Sequence, residues 1–304
     1  MPWQVRIGLA VLFWGASFVA TKTALGEATP FVIIAARFGI GLLVLLAVLT
    51  WRREWRPVPA PDVARFALLG FIGILVHQWL QVTGMRTTTA TNTGWMVALM
   101  PVFTALLARA LLGERLTPVR LAGIGLAFTG ALVVLGRGKL DPAMLGLPSA
   151  RGDLLVFLSA PNWAIFSVLS KPLLRRYPAA LVMSHVFLFG LLFVVPLAVG
   201  DKAWEQLAQL SATGWTAVLF LGVLCSGVAY VFWYDGLRAA DASQVAAFLY
   251  FEPLVTVVVA SRLLGETITP ATLLGGAVIL AGVWLVNRTS HRDPAPITAG
   301  DRGS

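Results

Sequence analysis

Glu252 stands inside an apolar run, "LYFEPLVTVVVA" at 249–260. A charged side chain at the centre of a membrane-crossing helix costs about 2.5–3.5 kcal/mol on insertion scales. Three things could offset that cost: a basic partner, a proton, or a cationic substrate. Arg37 and Lys22 are basic residues within other apolar runs, and His77 is a third candidate partner. An ion pair of Glu252 with Arg37 is the structural reading. A titrating carboxyl, or one that meets a substrate ammonium, is the functional one.

Other polar groups recur at helical spacing. Asn92, Met96 and Met100 fall four residues apart, as do Gln244, Phe248 and Glu252, 152 positions later. Each trio shares one helical face. Pro101 and Pro253 follow at equivalent places, and neither has the N–H that the carbonyls of Val97 and Leu249 would need. Unpaired carbonyls in lipid are costly, so these should face protein or a wet cavity. Neighbouring runs add His77, Gln78 and Gln81; Ser226, Tyr230 and Trp233; Trp14, Ser17 and Thr21; and Trp163 with Ser170. The set suits a small amphipathic organic solute better than a bare ion. For any single member the competing reading is an interhelical hydrogen bond of about 0.6–2 kcal/mol, and for the prolines a tolerated kink. The paired stripes favour a cavity.

The elements that must position these groups are membrane helices. The 304 residues are 58% hydrophobic and 12% charged, against about 25% charged in a soluble domain. Runs of about 20 apolar residues, enough to cross a bilayer, recur along the chain. Spans are expected near 6–25, 31–50, 64–84, 89–110, 118–136, 152–171, 179–199, 214–235, 243–263 and 270–287. The first run resembles a signal peptide but has no clear small-x-small cleavage site and has a later counterpart, so it is expected to be retained. The net charge of +9 lies in short gaps between apolar runs rather than on a basic face, so no nucleic-acid partner is expected. One cysteine, Cys225, excludes an internal disulfide framework and a Cys-rich metal site. Three dispersed histidines, the lack of an H-E-x-x-H run and the lack of a phosphate loop argue against an enzyme, a cofactor and direct ATP drive.

The chain also repeats itself. "LLGERLTP" at 111–118 returns as "LLGETITP" at 263–270, and the same 152-residue offset pairs Gly84 with Gly236, Pro101 with Pro253, Gly123 with Gly275 and Gly130 with Gly282. Nearer the start of each half the offset is 149, pairing Trp14 with Trp163 and Lys22 with Lys171. Five spans per half is an odd number, so the second half must be inverted. With the N-terminus inside, 15 of the 23 basic residues fall on the inner side and 6 on the outer, which places both termini in the cytoplasm. Arg115 and Arg120 mark an inner loop. Their equivalents Thr267 and Thr272 lie outside, where basic charge would oppose the orientation. Thr117 and Thr269 are positioned to cap helices that begin at Pro118 and Pro270, while Glu114 and Glu266 are read as structural.

"WGASFVATKTAL", "AARF", and "PVFTALLARALLGERL" followed by "GIGLAFTGALVVL" resemble the EamA repeat of the drug/metabolite transporter superfamily. "EPLVTVVVASRLLGETIT" with "GGAVILAGVWLV" is similar to its second copy. The resemblance implies an all-α carrier of ten helices in two inverted five-helix repeats, with a substrate cavity between them. The expected domains are a first repeat at 1–137, a connecting loop at 138–151, an inverted repeat at 152–287 and a flexible cytoplasmic tail at 288–304. Pro161 within span 6 and His185 opposite Arg37 depart from the pattern. The implied function is secondary transport, exporting amino acids or related metabolites by alternating access, possible coupling to protons included. The setting is a bacterial inner membrane, with the lipid bilayer and the solute as partners. The alternatives are efflux of cationic or aromatic drugs, a lipid-linked flippase, and a structural membrane subunit.

Overall fold

The computed structural model describes residues 1–112, 117–135, 148–239, 245 and 248–288. All the regular structure among them is helical. In lipid, only structures that pair their own backbone amides can cross, so apolar runs of this length become helices.

Helix α1 is Trp3–Ala24, α2 Pro30–Trp51 and α3 Ala60–Gly84. A short α4, Ala90–Val97, is followed by α5, Met100–Leu112, and by α6, Pro118–Leu135. Then come α7 (Pro148–Arg176), α8 (Ala179–Gly200) and a surface turn, α9 (Ala203–Gln209). Helix α10 runs through three segments, Ala212–Leu219, Phe220–Val228 and Ala229–Ala239. A 3-10 turn at Phe248–Phe251 leads into α11, Glu252–Leu263, and α12 is Pro270–Arg288. Eight described helices are long and apolar enough to cross a membrane, the α4–α5 stretch Ala90–Leu107 counting as one of them. The apolar part of α12, Pro270–Val286, is shorter.

The expected caps form. Thr117 Oγ1 accepts from Arg120 N at 3.3 Å, and Thr269 Oγ1 accepts from Thr272 N at 3.1 Å. Each holds one of the amides that a helix start leaves unpaired. Glu114 and Arg115 lie outside the described residues, as do 136–147 and the tail beyond 288.

Two expected spans are not continuous. Helix α4 stops at Val97, and Leu99 N turns back to Met96 O at 3.1 Å before α5 starts at Met100. Of the expected span 243–263, Phe248–Phe251 forms the 3-10 turn and Glu252–Leu263 forms α11. Pro101 and Pro253 are therefore the second residues of new helices rather than kinks inside old ones. The first turn is where a missing N–H costs nothing. Pro161, by contrast, lies inside α7, which runs through it.

Helices α3 and α10 share a feature that apolar periodicity does not show: π-helical segments at Phe71–Val76 and Phe220–Val228. Phe71 and Gly73 return 149 positions later as Phe220 and Gly222, but Gly84 returns 152 later as Gly236. The second π segment is three residues longer than the first, nine against six, and absorbs that difference.

Helix α6 packs along α12, α2 packs between α8 and α10, and α1 packs against α10 and α11. Exchanging each helix for its later counterpart returns the same neighbours, since α7 packs on α3 and α5, and α3 on α8. On α6, a Cβ at Gly123 would lie 2.8 Å from the Gly282 carbonyl oxygen, and one at Gly130 would lie 2.6 Å from that of Gly275. The earlier glycine meets the later one and the later meets the earlier, so α6 and α12 run antiparallel. Small residues let the two backbones approach this closely.

Candidate functional site

The centre of the site is the start of α11. Gly15 of α1 has no side chain there, and a Cβ would stand 2.7 Å from the backbone oxygen of Glu252. Thr256 Oγ1 lies 2.9 Å from both that oxygen and the carbonyl of Gly15, tying α11 to α1. Glu252 is half-buried, and among the described residues no hydrogen bond or ion pair reaches its carboxylate. Opening a helix gives it some support, because the N-terminal end of a helix dipole favours an anion by about 0.3–2 kcal/mol. A continuous span would have provided none.

Arg37 lies on α2 and is 6% exposed. Its Nε donates to Ser226 Oγ at 2.8 Å. The anticipated ion pair of Arg37 with Glu252 does not form. No described carboxylate lies within ion-pair distance of the guanidinium. Its Cζ lies 5.1 Å from the ring centre of Phe38.

Aromatic rings complete this centre. Trp14 stands 5.6 Å from Tyr230 and 5.3 Å from Trp233, ring centre to ring centre. Its indole N–H donates to the carbonyl of Cys225 at 3.0 Å, within the π segment of α10. Phe248 packs with Trp3 at 6.1 Å and joins the cluster of Ile7, Val11 and Trp233.

A second group lies between α3 and α7. His77 Nδ1 donates to the carbonyl of Ser159 at 3.1 Å, and its ring lies 5.0 Å from Trp163. Gln78 Oε1 and Asn162 Oδ1 are buried without a hydrogen-bond partner among the described residues, and Gln81, three residues after Gln78, is also buried. His77 follows directly on the π segment of α3, as Ala229 and Tyr230 follow that of α10. Irregular turns of this kind redirect side chains and recur at functional sites.

The remaining sequence-expected residues are distributed differently. Asn92 Nδ2 is engaged by buried Asp153 at 3.2 Å, and Asp153 also receives the hydroxyl of Thr88. Lys22 Nζ donates to the carbonyls of Met85 and Thr88, both at 2.6 Å. Glu266 accepts from Ala90 N at 2.7 Å and Thr91 N at 3.0 Å, capping α4. These groups form one polar cluster at the end of the bundle opposite Arg6. Met96 is wholly buried in the apolar core. Ser17 and Ser170 hydroxyls bond back to the carbonyls of Trp14 and Ser167, at 2.6 and 3.0 Å. Thr21 is buried on α1. Gln244 lies outside the described residues.

The family model for EamA-like transporters matches residues 2–136 and again 150–288. The chain belongs to the EamA-like transporter family. It is 29% identical over 289 residues to an uncharacterised transporter of Archaeoglobus fulgidus, covering 95% of this chain and 98% of that one. A probable terminal-alkyne amino-acid exporter of Streptantibioticus cattleyicolor is 30% identical over 92% of this chain and 91% of its own. A probable amino-acid metabolite efflux pump of Salmonella typhimurium is 27% identical over 91% and 92%. A solved crystal structure superposes with a TM-score of 0.64 at 23% identity, covering 92% of this chain and 96% of that one, which shows a shared fold. This EamA-like chain is thus a multi-pass membrane protein and a membrane transporter.

Sequence reading missed the carboxylates that organise the transporter's basic end. Asp235 of α10 receives Arg52 Nη1 and Nη2, each at 2.8 Å, and Arg6 Nη1 at 3.1 Å. Asp62 of α3, 1% exposed, receives Arg176 at 2.6 Å, Tyr177 OH at 2.7 Å and Arg65 at 3.1 Å. The Asp62 carboxylate beside it raises the Tyr177 hydroxyl above its ordinary range. A cleft beside Asp235 is lined by Leu45, Arg52, Glu54, Met183, Tyr230 and Tyr234, among others. At the opposite end, Glu27 accepts from Ser211 N and Oγ, both at 2.6 Å, and these bonds hold its carboxyl below the usual range. The signal for the Asp235 and Asp62 clusters was present: acids at or next to span ends, on the side of the arginines in neighbouring gaps.

Proposed function

We propose that this EamA-like transporter is a secondary carrier that exports amino acids or related small metabolites by alternating access. The proposed arrangement is ten spans in two inverted repeats, 1–137 and 152–287, in a cell membrane with both termini in the cytoplasm. The antiparallel crossing of α6 and α12 through equivalent glycines supports the inversion. The names of the Streptantibioticus and Salmonella relatives support the solute class.

The observation that carries the reading is Glu252, without a partner among the described residues at the start of α11, where a 3-10 turn gives way to the helix. Carriers built from repeats bind substrate at such interrupted helices near the midplane. The carboxylate then meets a substrate ammonium or a proton, and the contents of the site bias which end opens. Trp14, Tyr230 and Trp233 beside it favour a second reading, efflux of cationic aromatic drugs. Counterflow in vesicles of purified protein separates the two. Saturable exchange of amino acids, weakened or made pH-independent by Glu252→Gln, supports the carrier. Competition by quaternary aromatic amines without any amino-acid exchange supports the drug reading. Wild-type exchange of neither class, or Glu252→Gln kinetics unchanged between pH 6 and 8, overturns the role given to Glu252.

A further inference from the structure

We infer that Arg37 recognises the carboxylate of the solute, which is bound as a zwitterion between Arg37 and Glu252. This rests on the proposed function and narrows its substrate class to molecules with a free amine and a free acid.

The arginines at the basic end show how this protein treats a guanidinium that serves structure. Arg6 and Arg52 sit on Asp235, and Arg65 and Arg176 sit on Asp62. Arg37 is more deeply buried than any of these four, yet has no carboxylate among the described residues. Its one hydrogen bond there is from Nε to Ser226. That bond leaves the two terminal nitrogens open, and they form the edge that grips a carboxylate through two parallel N–H bonds.

The orientation is fixed by packing. Gly41 lies one turn beyond Arg37 on α2, and a Cβ there would fall 2.6 Å from Ser226 Cβ. The missing side chain lets α10 close onto α2 and brings the Ser226 hydroxyl to Nε. A guanidinium held this way is presented rather than neutralised. Removing a buried charge from water without a partner is strongly unfavourable, and among the described residues the buried Arg37 meets no carboxylate and the half-buried Glu252 no cation. Ser226, which holds Arg37, follows Cys225, whose carbonyl receives the Trp14 indole, and Gly15 beside Trp14 meets the Glu252 backbone oxygen, so both charged residues flank the same contact of α1 with α10 and α11. An α-amino acid brings the complement of both at once, with its side chain toward Trp14 and Trp233.

The test is a substrate-by-mutant cycle in proteoliposomes. Counterflow of the twenty standard amino acids identifies the best one. Its methyl ester and its decarboxylated amine then serve as competitors. In the wild type the acid should compete at least tenfold better than either analogue. In Arg37→Gln the apparent affinity for the amino acid should fall about 10- to 100-fold, while that for the amine stays within about twofold. Arg37→Lys and Ser226→Ala should give intermediate ratios, and they read the same quantity if Arg37→Gln fails to fold. Equal competition by acid and ester in the wild type overturns the inference and leaves the proposed function standing. So does an equal loss for acid and amine in every variant that folds. Counterflow of no amino acid overturns both.

Discussion

Neutralising Asp235 should open the basic end of the transporter. Asp235 joins α10 to α1 and α2, three helices that must separate if this end is to admit solute. Its side chain is 12% exposed, against 26% for Arg52 and 36% for Arg6. The bidentate contact with Arg52 resembles a hydrogen bond to a charged group, with a net value of about 1.5–3 kcal/mol. The Arg6 contact is closer to a surface pair of about 0.2–1 kcal/mol. Asn keeps one acceptor oxygen and loses the charge, so Asp235→Asn should forfeit about 2–3 kcal/mol. That is a shift of roughly 30- to 150-fold toward the state open at this end. A cysteine at Leu45, in the adjoining cleft, reports the change in a Cys225→Ser background. Labelling by a membrane-impermeant maleimide, applied from the side carrying Arg52, should accelerate at least tenfold in Asp235→Asn. Arg52→Gln should act alike but more weakly, since it leaves the Arg6 contact, and the double variant should do no more than Asp235→Asn alone, because both remove the Asp235–Arg52 interaction. Unchanged labelling in a folded variant, or fully additive effects, would refute the lock.

Other outcomes follow from the same contacts. Glu266→Gln leaves one α4 amide without its charged acceptor, so it should lower stability by about 1–2 kcal/mol, read as a fall in Tm. Gly130→Val places a branched side chain where even a Cβ meets the Gly275 carbonyl at 2.6 Å, so thermal stability in detergent should drop by about 1–3 kcal/mol or more; Gly125→Ala, with nothing within 4 Å, should leave it unchanged. Glu27 has a carboxyl held below its unfolded value near 4.3, so its contribution is complete above that pH and fades as pH falls through the folded value. The Tm difference between wild type and Glu27→Gln should therefore shrink from pH 6 to pH 3.5, and a constant difference would refute the linkage.

The caps were legible because Thr-Pro at 117–118 and 269–270 is local chemistry, complete within four residues. The glycines of α6 and α12 were legible as matched small residues, but that the two helices cross one another there, and which glycine meets which, needed the structure. The breaks at Ala98–Leu99 and before Glu252 were only half legible. Proline announced a defect, but an apolar window cannot distinguish a kinked helix from two helices end to end. The π segments left no such mark, since a helix that gains residues without losing its apolar character reads as a longer helix. Least legible were partnerships between distant residues. Asn92 appeared as part of a stripe with Met96 and Met100, yet its amide belongs to Asp153 of α7, and nothing within one helix reports that.

The two halves agree and differ in different kinds of place. Positions where the copies match are scaffold. Thr104 and Thr256, equivalent residues, bond to the carbonyls of Met100 and Glu252, each at 2.9 Å, and Gly123, Gly130, Gly275 and Gly282 make one crossing. Positions where they diverge carry Glu252 and Arg37, which have no ion-pair partner among the described residues. Glu252 answers to Met100, and Arg37 answers to His185, whose ring instead stacks on Phe66 at 4.9 Å and bonds to the carbonyl of Leu181 at 2.8 Å. Under the proposed alternating access, a symmetric frame would serve the opening of either end, because equivalent contacts could be made and broken on both sides. A solute with an acid at one end and an amine at the other has no such symmetry. The proposed zwitterion site would therefore draw on positions where the two copies differ, and Arg37, from the first copy, and Glu252, from the second, are two of them.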